Sequence, residues 1–291
     1  MAEMPATTFI LSVFGDEIAG DLRDQLDLMG ELQVGYLEFR SAWGKNVLHM
    51  DGEEVARVKQ LCDEHGVAVS CIGSPIGKSP IRAPIEEECA NLTRIFRTAE
   101  TLGARNVRMF SFYPPDTGSN EHYDAYLEEA ISRLTRLTEL ARNDGFLLLL
   151  ENEKDIVGDT IARCHALLSA IDDAHLRFIW DPANFVQVGE ARVTERGWPL
   201  LSPFTAHVHV KDAVLSDGSV RAAGEGDGQV PELLSKLRDS GYRGFLALEP
   251  HLAIAGHSGG FTGVTGMTYA VARLRELMAD LGIEESVSGL E

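Results

Sequence analysis

At 291 residues, with 44% apolar residues, 28 glycines and 11 prolines, the chain has the composition of a folded globular protein, not a disordered or fibrous one. Its formal net charge of −19 argues against phosphate-backbone binding as the main activity, because such sites are built from Lys and Arg that neutralise phosphates. No segment has the apolar length needed to span a membrane, and four cysteines without a CxxC pair read as reduced thiols of a cytoplasmic protein.

In chain order, MAEMPATTFILSVFGDE lacks a basic n-region and reads as a first strand, 8–14, and not as a signal peptide. Asp16 and Glu17 follow it as pocket residues or as a helix N-cap, with the cap preferred. The next strand, 35–40 (GYLEFR), ends on Arg40. DGEEVARVKQLCDEHG then places Val55, Val58, Leu61 and Cys62 on one helical face. Strands at 67–73, 105–111, 146–151, 176–181, 206–211 and 244–249 are likewise short, apolar and bounded by Gly, Pro, Asp or Asn. EEECANLTRIFRTAETLG and DAYLEEAISRLTRLTELARNDG are two further amphipathic helices. Gly66, Gly103, Gly145 and Gly241 close helices just before a strand. The polar, Gly-rich stretches 212–228 and 250–266 read as loops after strands seven and eight, and the tail from about 284 as frayed.

Strand–helix alternation without a linker predicts one α/β domain over 1–291, a (β/α)₈ TIM barrel. A doubly wound open sheet is the competitor, but no GxGxxG follows the first strand. In a barrel the C-terminal strand ends meet on one face. Glu151, Asp181, His209 and Glu249 end strands five to eight, and adjacent strands lie about 4.8 Å apart. Such a set suits one divalent ion, Mn²⁺, Mg²⁺, Co²⁺ or Zn²⁺. Three carboxylates outweigh a dication, which leaves one Glu free to act as a base. His207, His209 and Lys211 alternate and so face one side of strand seven. A single charged strand end is often merely solvated; four on consecutive strands are not so easily explained.

The segments FGDEI (14–18), YLEFRSAWGKNV (36–47), SCIGSPIGK (70–78), ENEKDIVGDT (151–160), WDPAN (180–184), HVHVKD (207–212), GEGDG (224–228) and ALEPH (247–251) together resemble the xylose-isomerase-like TIM-barrel superfamily of sugar isomerases and epimerases, over nearly the full length. The resemblance implies that Glu151, Asp181, His209 and Glu249 hold the metal, with His207 beside the site or facing substrate. It implies Glu151 and Glu249 as the pair that removes and returns a proton next to a carbonyl, through a metal-stabilised enediolate. Three positions depart from the ketose epimerases: Val157, Asn184 and Leu215 stand where those enzymes carry Glu, His and Arg. The resemblance therefore implies a kept metal core and a different substrate.

Arg40, Lys78, Lys154, Asn184, His207 and Lys211 are the candidate substrate-binding residues, the cations being suited to a phosphate or carboxylate. Lys45 is a further cation or a solvated loop residue. Trp43 and Trp180 stack on a sugar or pack beneath loops. GGFTGVTG is a phosphate-binding loop or a flexible connection. His49, His122, His251 and His257 are unassigned. The expectation is a metal-dependent isomerase or epimerase of a small carbohydrate (a ketose, keto-inositol or sugar phosphate), acting without nucleic acid or membrane, as a single chain or a homo-oligomer. A keto-inositol or keto-sugar dehydratase using Lys211 as acid is the alternative. A DNA-repair endonuclease and a non-catalytic sugar-binding barrel stand behind it.

Overall fold

A computed structural model describes residues 8–115, 120–252 and 262–286. The apolar runs form β1 (Thr8–Phe14), β2 (Tyr36–Phe39), β3 (Ala68–Ile72), β4 (Asn106–Met109), β5 (Leu147–Glu151), β6 (Leu176–Trp180), β7 (Thr205–Val210) and β8 (Phe245–Leu248). All pair in parallel with their sequence neighbours. β8 returns to β1 in the register Ile10↔Phe245 to Val13↔Leu248, which closes an eight-stranded barrel. The TIM-barrel expectation holds. Residues 284–286 depart from it: instead of fraying, Glu284 and Glu285 pair with Thr8 and Phe9. The remainder of the tail lies outside the described residues, as do His257 and the first residues of GGFTGVTG.

Helices α1 (Leu22–Glu31), α2 (Gly52–Glu64), α3 (Ile85–Leu102), α4 (Leu127–Asp144), α5 (Ile161–Ile171), α6 (Pro182–Gln187), α7 (Val193–Leu201), α8 (Val230–Ser240) and α9 (Gly263–Asp280) fill the connections. Among the described residues no helix is long and apolar enough to cross a membrane. Local chemistry sets the helix ends. Asp51 and Glu54 make a reciprocal capping box at α2, and Gly103, Gly145 and Gly241 close α3, α4 and α8 in the left-handed conformation. Gly66 falls one residue past the cap of α2, which is His65. α1 is capped by Asp21, not by Asp16 or Glu17.

The main apolar core lies between strands and helices. There Trp180 is fully buried against Phe178, Phe185 and Trp198, so it packs the barrel wall and is not a platform for a sugar. Burying such a side chain contributes about 1.5–3 kcal/mol. Trp43 is likewise used in packing: Arg57 lies 4.5 Å over its ring, and its Nε1 donates to Asp21. Inside the barrel a smaller apolar floor of Cys71, Leu149 and Ile179 supports a layer of charged side chains at the C-terminal strand ends. Cys62, Cys71, Cys89 and Cys164 are all unpaired thiols.

Candidate metal centre

Glu151 is the last residue of β5, and Asp181, Lys211 and Glu249 directly follow β6, β7 and β8 or lie one residue beyond the strand end. His209 is inside β7, two residues before Lys211 and on its face. Glu151, Asp181, His209 and Glu249 each offer one ligand atom, all within 4.8 Å of one another, and all four side chains are buried. His209 Nδ1 lies 2.9 Å from Glu151 Oε1 and 3.7 Å from Glu249 Oε2. The structure thus brings together the four residues read from the strand ends.

Their supports are specific. Asp181 Oδ1 caps α6 by accepting from Asn184 N, so that its other oxygen faces inward. Asn152 clamps the same residue, accepting from Asp181 N at 3.0 Å and donating to Asp181 O at 2.9 Å. Asn184 Nδ2 donates to Asn152 O and reaches Glu151 Oε1 at 3.4 Å. Glu151 Oε2 and Asp181 Oδ2 accept no hydrogen bond, although Arg108 Nη1 lies 3.2 Å from the first and Lys211 Nζ 2.9 Å from the second. Both buried oxygens thus have an ion-pair partner but accept no hydrogen bond, which leaves them lone-pair capacity of the kind oxygen ligands to a cation use.

Charge tells the same story. Among the described residues, Asp16, Glu17, Glu38, Glu151, Asp181 and Glu249 face three permanent cations, Arg40, Arg108 and Lys211. Burial pushes Asp181 up to about 6 despite the Lys211 ammonium, with Glu151 and Glu249 adding to the rise. For Glu249 burial also works upward, but Lys211, His251 and Arg40 outweigh it and hold the carboxyl well below the usual range. Burial would lower His209; Glu151 and Glu38 reverse that and raise it to about 10. The surplus of anions and the captured proton on His209 mark a space that favours added positive charge.

The other expected residues divide. Arg40 and Lys211 belong to the centre: Arg40 Nη1 meets Glu249 Oε1 at 2.5 Å, and Lys211 Nζ meets Glu249 Oε2 at 3.4 Å. His207 lies one layer deeper, bonded to Glu38 Oε2 at 2.8 Å, and does not line the opening. Lys78 and Lys154 stand exposed at the rim; Lys78 pairs with Glu153 and lies 4.3 Å over Phe110, while Lys154 Nζ reaches Gln187. Lys45 is bound to Glu54, away from the centre. Asp16 and Glu17 are pocket residues and not caps. Arg40 Nε donates to Asp16, and buried Glu17 receives Arg40, Thr262 and His251, so Thr262 at the start of α9 is tied to the barrel mouth.

Sequence reading missed Glu38, Arg108, Asn152 and His251. Glu38 and Arg108 did carry a signal: each is a buried charge flanked by buried apolar residues within a short strand, YLEF and NVRM. Such a charge needs a partner inside the barrel.

A family model described as xylose isomerase-like TIM barrel matches residues 27–284. No curated protein matches the chain at a significant level in sequence. Among solved structures, D-psicose 3-epimerase with D-tagatose from Clostridium cellulolyticum H10 superposes with a TM-score of 0.74 at 13% identity, covering 94% of this chain and 99% of that one. The probable 3-DHS dehydratase involved in petrobactin synthesis from Bacillus anthracis gives 0.70 at 17% identity, covering 92% and 99%. A xylose isomerase-like TIM barrel protein from Mycobacterium smegmatis in complex with magnesium gives 0.70 at 17% identity, covering 94% and 98%.

Proposed function

Because this chain belongs to the xylose isomerase-like TIM barrel family, we propose that it is a divalent-metal-dependent isomerase or epimerase of a small polyhydroxy carbonyl compound. Ketoses, keto-inositols and sugar phosphates are the substrate classes considered. The observation that carries the reading is the convergence of the buried Glu151, Asp181, His209 and Glu249, with Glu151 Oε2 and Asp181 Oδ2 accepting no hydrogen bond. These four residues would hold the cation. When bound, a divalent cation supplies Lewis acidity that makes a C–H next to a substrate carbonyl easier to ionise.

The chain's own groups account for proton movement. Glu249 is held anionic by its cationic neighbours and would be the carboxylate that receives the proton once a bound substrate and cation offset them. Glu151 provides the second carboxylate. Arg108 Nη1 lies 3.2 Å from Glu151 and 3.7 Å from Glu249, so one guanidinium fixes the two against each other. Asn184 and Arg40 steady one carboxylate each. Lys78 and Lys154 at the rim suit an anionic substituent on the substrate. The magnesium complex of a structural relative and the D-tagatose complex of another support the metal and carbohydrate parts of the reading.

The dehydratase reading has its own observation. Lys211 is a buried ammonium within the centre, paired with Asp181 and Glu249, and would be the acid that protonates a departing hydroxyl in this reading. A structural relative is a probable dehydratase.

The test is a panel of ketoses, keto-inositols and their phosphates with Mn²⁺-loaded protein in D₂O. We expect deuterium uptake at one substrate carbon, lowered by at least about 10²-fold in Glu151→Gln and in Glu249→Gln. A mass-neutral product identifies the isomerase; loss of water with a new ultraviolet-absorbing product identifies the lyase. Undiminished exchange in either variant removes that residue from the proton-transfer pair.

A further inference from the structure

We propose that Glu38 is a positioning residue for the candidate metal centre. From beneath it, the Glu38 carboxylate fixes the His209 ring so that Nε2–H points down and Nδ1 is presented to the cation. The inference rests on the reading of His209 as a ligand.

The geometry is as follows. Glu38 is fully buried in β2, on a strand whose other residues are apolar or aromatic. A buried carboxylate without a job is costly, because it gives up hydration for nothing. Here each oxygen has a separate partner: Oε2 lies 2.8 Å from His207 Nε2 and Oε1 lies 3.2 Å from His209 Nε2. An ionised carboxylate only accepts hydrogen bonds, so both rings must offer Nε2–H to it. For His209 that leaves Nδ1 on the opposite side, among Glu151 and Glu249. The ring has little freedom to turn. Phe14 packs edge-on against it at 5.1 Å and 82°, and the His207 ring stands at 5.5 Å and 85°. Glu38 reaches across from β2 to β7, 171 positions away in sequence, so its contact is made by barrel closure alone. A histidine ligand whose second nitrogen donates to a carboxylate is oriented for metal binding, and loss of such a carboxylate typically costs 10–100-fold in affinity.

The test uses Mn²⁺ titrated calorimetrically into the wild-type chain, Glu38→Gln and Glu38→Ala, and two-bond ¹⁵N–¹H spectra of the Mg²⁺-loaded wild type. The His209 signals are assigned by difference with His209→Gln. We expect about 10–100-fold weaker Mn²⁺ binding in Glu38→Ala. Glu38→Gln should lose less, since its amide oxygen still accepts from Nε2–H. The wild-type spectrum should show Nε2 protonated and Nδ1 shifted by the metal. A merely structural role would lower the melting temperature without changing which nitrogen meets the ion. If the wild type takes up no Mn²⁺, the metal centre itself is refuted. If it binds Mn²⁺ and the folded Glu38 variants bind equally well, or if His209 meets Mg²⁺ through Nε2, the Glu38 inference fails and the metal centre stands. Should the variants not fold, the wild-type spectrum alone decides.

Discussion

The carboxylate of Glu249 is bracketed by Arg40, Arg108, Lys211 and His251, whereas His209 lies between the carboxylates of Glu38 and Glu151. These two buried charges are thus placed among their opposites, the condition under which charges are tolerated in a barrel interior. The consequence for pH follows from His209, raised to about 10, and His251, raised to about 9, against an unfolded value of about 6.5. A histidine with a raised folded value stabilises the fold fully below about 6.5 and loses that contribution as pH climbs through the folded value. Metal-free protein should therefore lose stability between about pH 7 and pH 10 in urea titrations, and less steeply in His209→Gln; constant or rising stability would contradict it. Cation binding at Nδ1, as proposed, would have to displace the proton shared with Glu151. Mn²⁺ affinity should accordingly rise by about tenfold per pH unit from pH 6 to 8. Calorimetry in two buffers of different ionisation enthalpy should count about one released proton.

The connection after β7 shows how an element carries the site. Read from sequence, 212–228 was a long polar loop; the structure gives it a short antiparallel pair, Asp212–Ala213 with Val220–Arg221, and a tight GEGDG return. Buried Asp212 gathers that return by accepting from the backbone N–H groups of Ala213, Gly224, Gly226 and Gly228 at 2.8–3.1 Å. The glycines are required by closeness: a Cβ at Gly228 would lie 2.7 Å from Asp212 Oδ1 and 2.9 Å from Pro182 Cβ. Pro182 directly follows Asp181, so crowding there is felt by the metal centre. Asp212→Ala strands four backbone donors and should destabilise the protein by about 3 kcal/mol in chemical denaturation. Gly228→Ala should cost about 1–3 kcal/mol and also weaken Mn²⁺ binding through α6. A change below about 0.5 kcal/mol for Asp212→Ala would show that the loop stands without its anchor.

For the whole molecule, a cation that binds only the folded barrel must stabilise it. At a hundredfold excess over Kd, Mn²⁺ adds about 2.7 kcal/mol. For a chain of this size the melting temperature should rise by about 5–8 °C, reversed by chelation; an unchanged melting curve would contradict the centre. The barrel itself was legible because its strands are short buried runs that strand–helix alternation forces into parallel order, and the closing β8–β1 register bears this out. Four candidate site residues were legible because three stand at a strand end, where a change from apolar to ionisable breaks the local pattern, and His209 alternates with Lys211 at the end of β7. Sequence alone therefore determined the fold, which rests on periodicity and on positions along single strands; the candidate donor set came from those positions together with the family resemblance, which chose His209 over His207. Which partner each charge would find was decided only by tertiary structure. Glu38 meets His207 and His209, Arg108 spans Glu151 and Glu249, and Glu17 gathers Arg40, His251 and Thr262. These contacts join residues far apart in the chain, and their strength depends on burial and on distances of a few ångströms, which exist only once the sheet has closed.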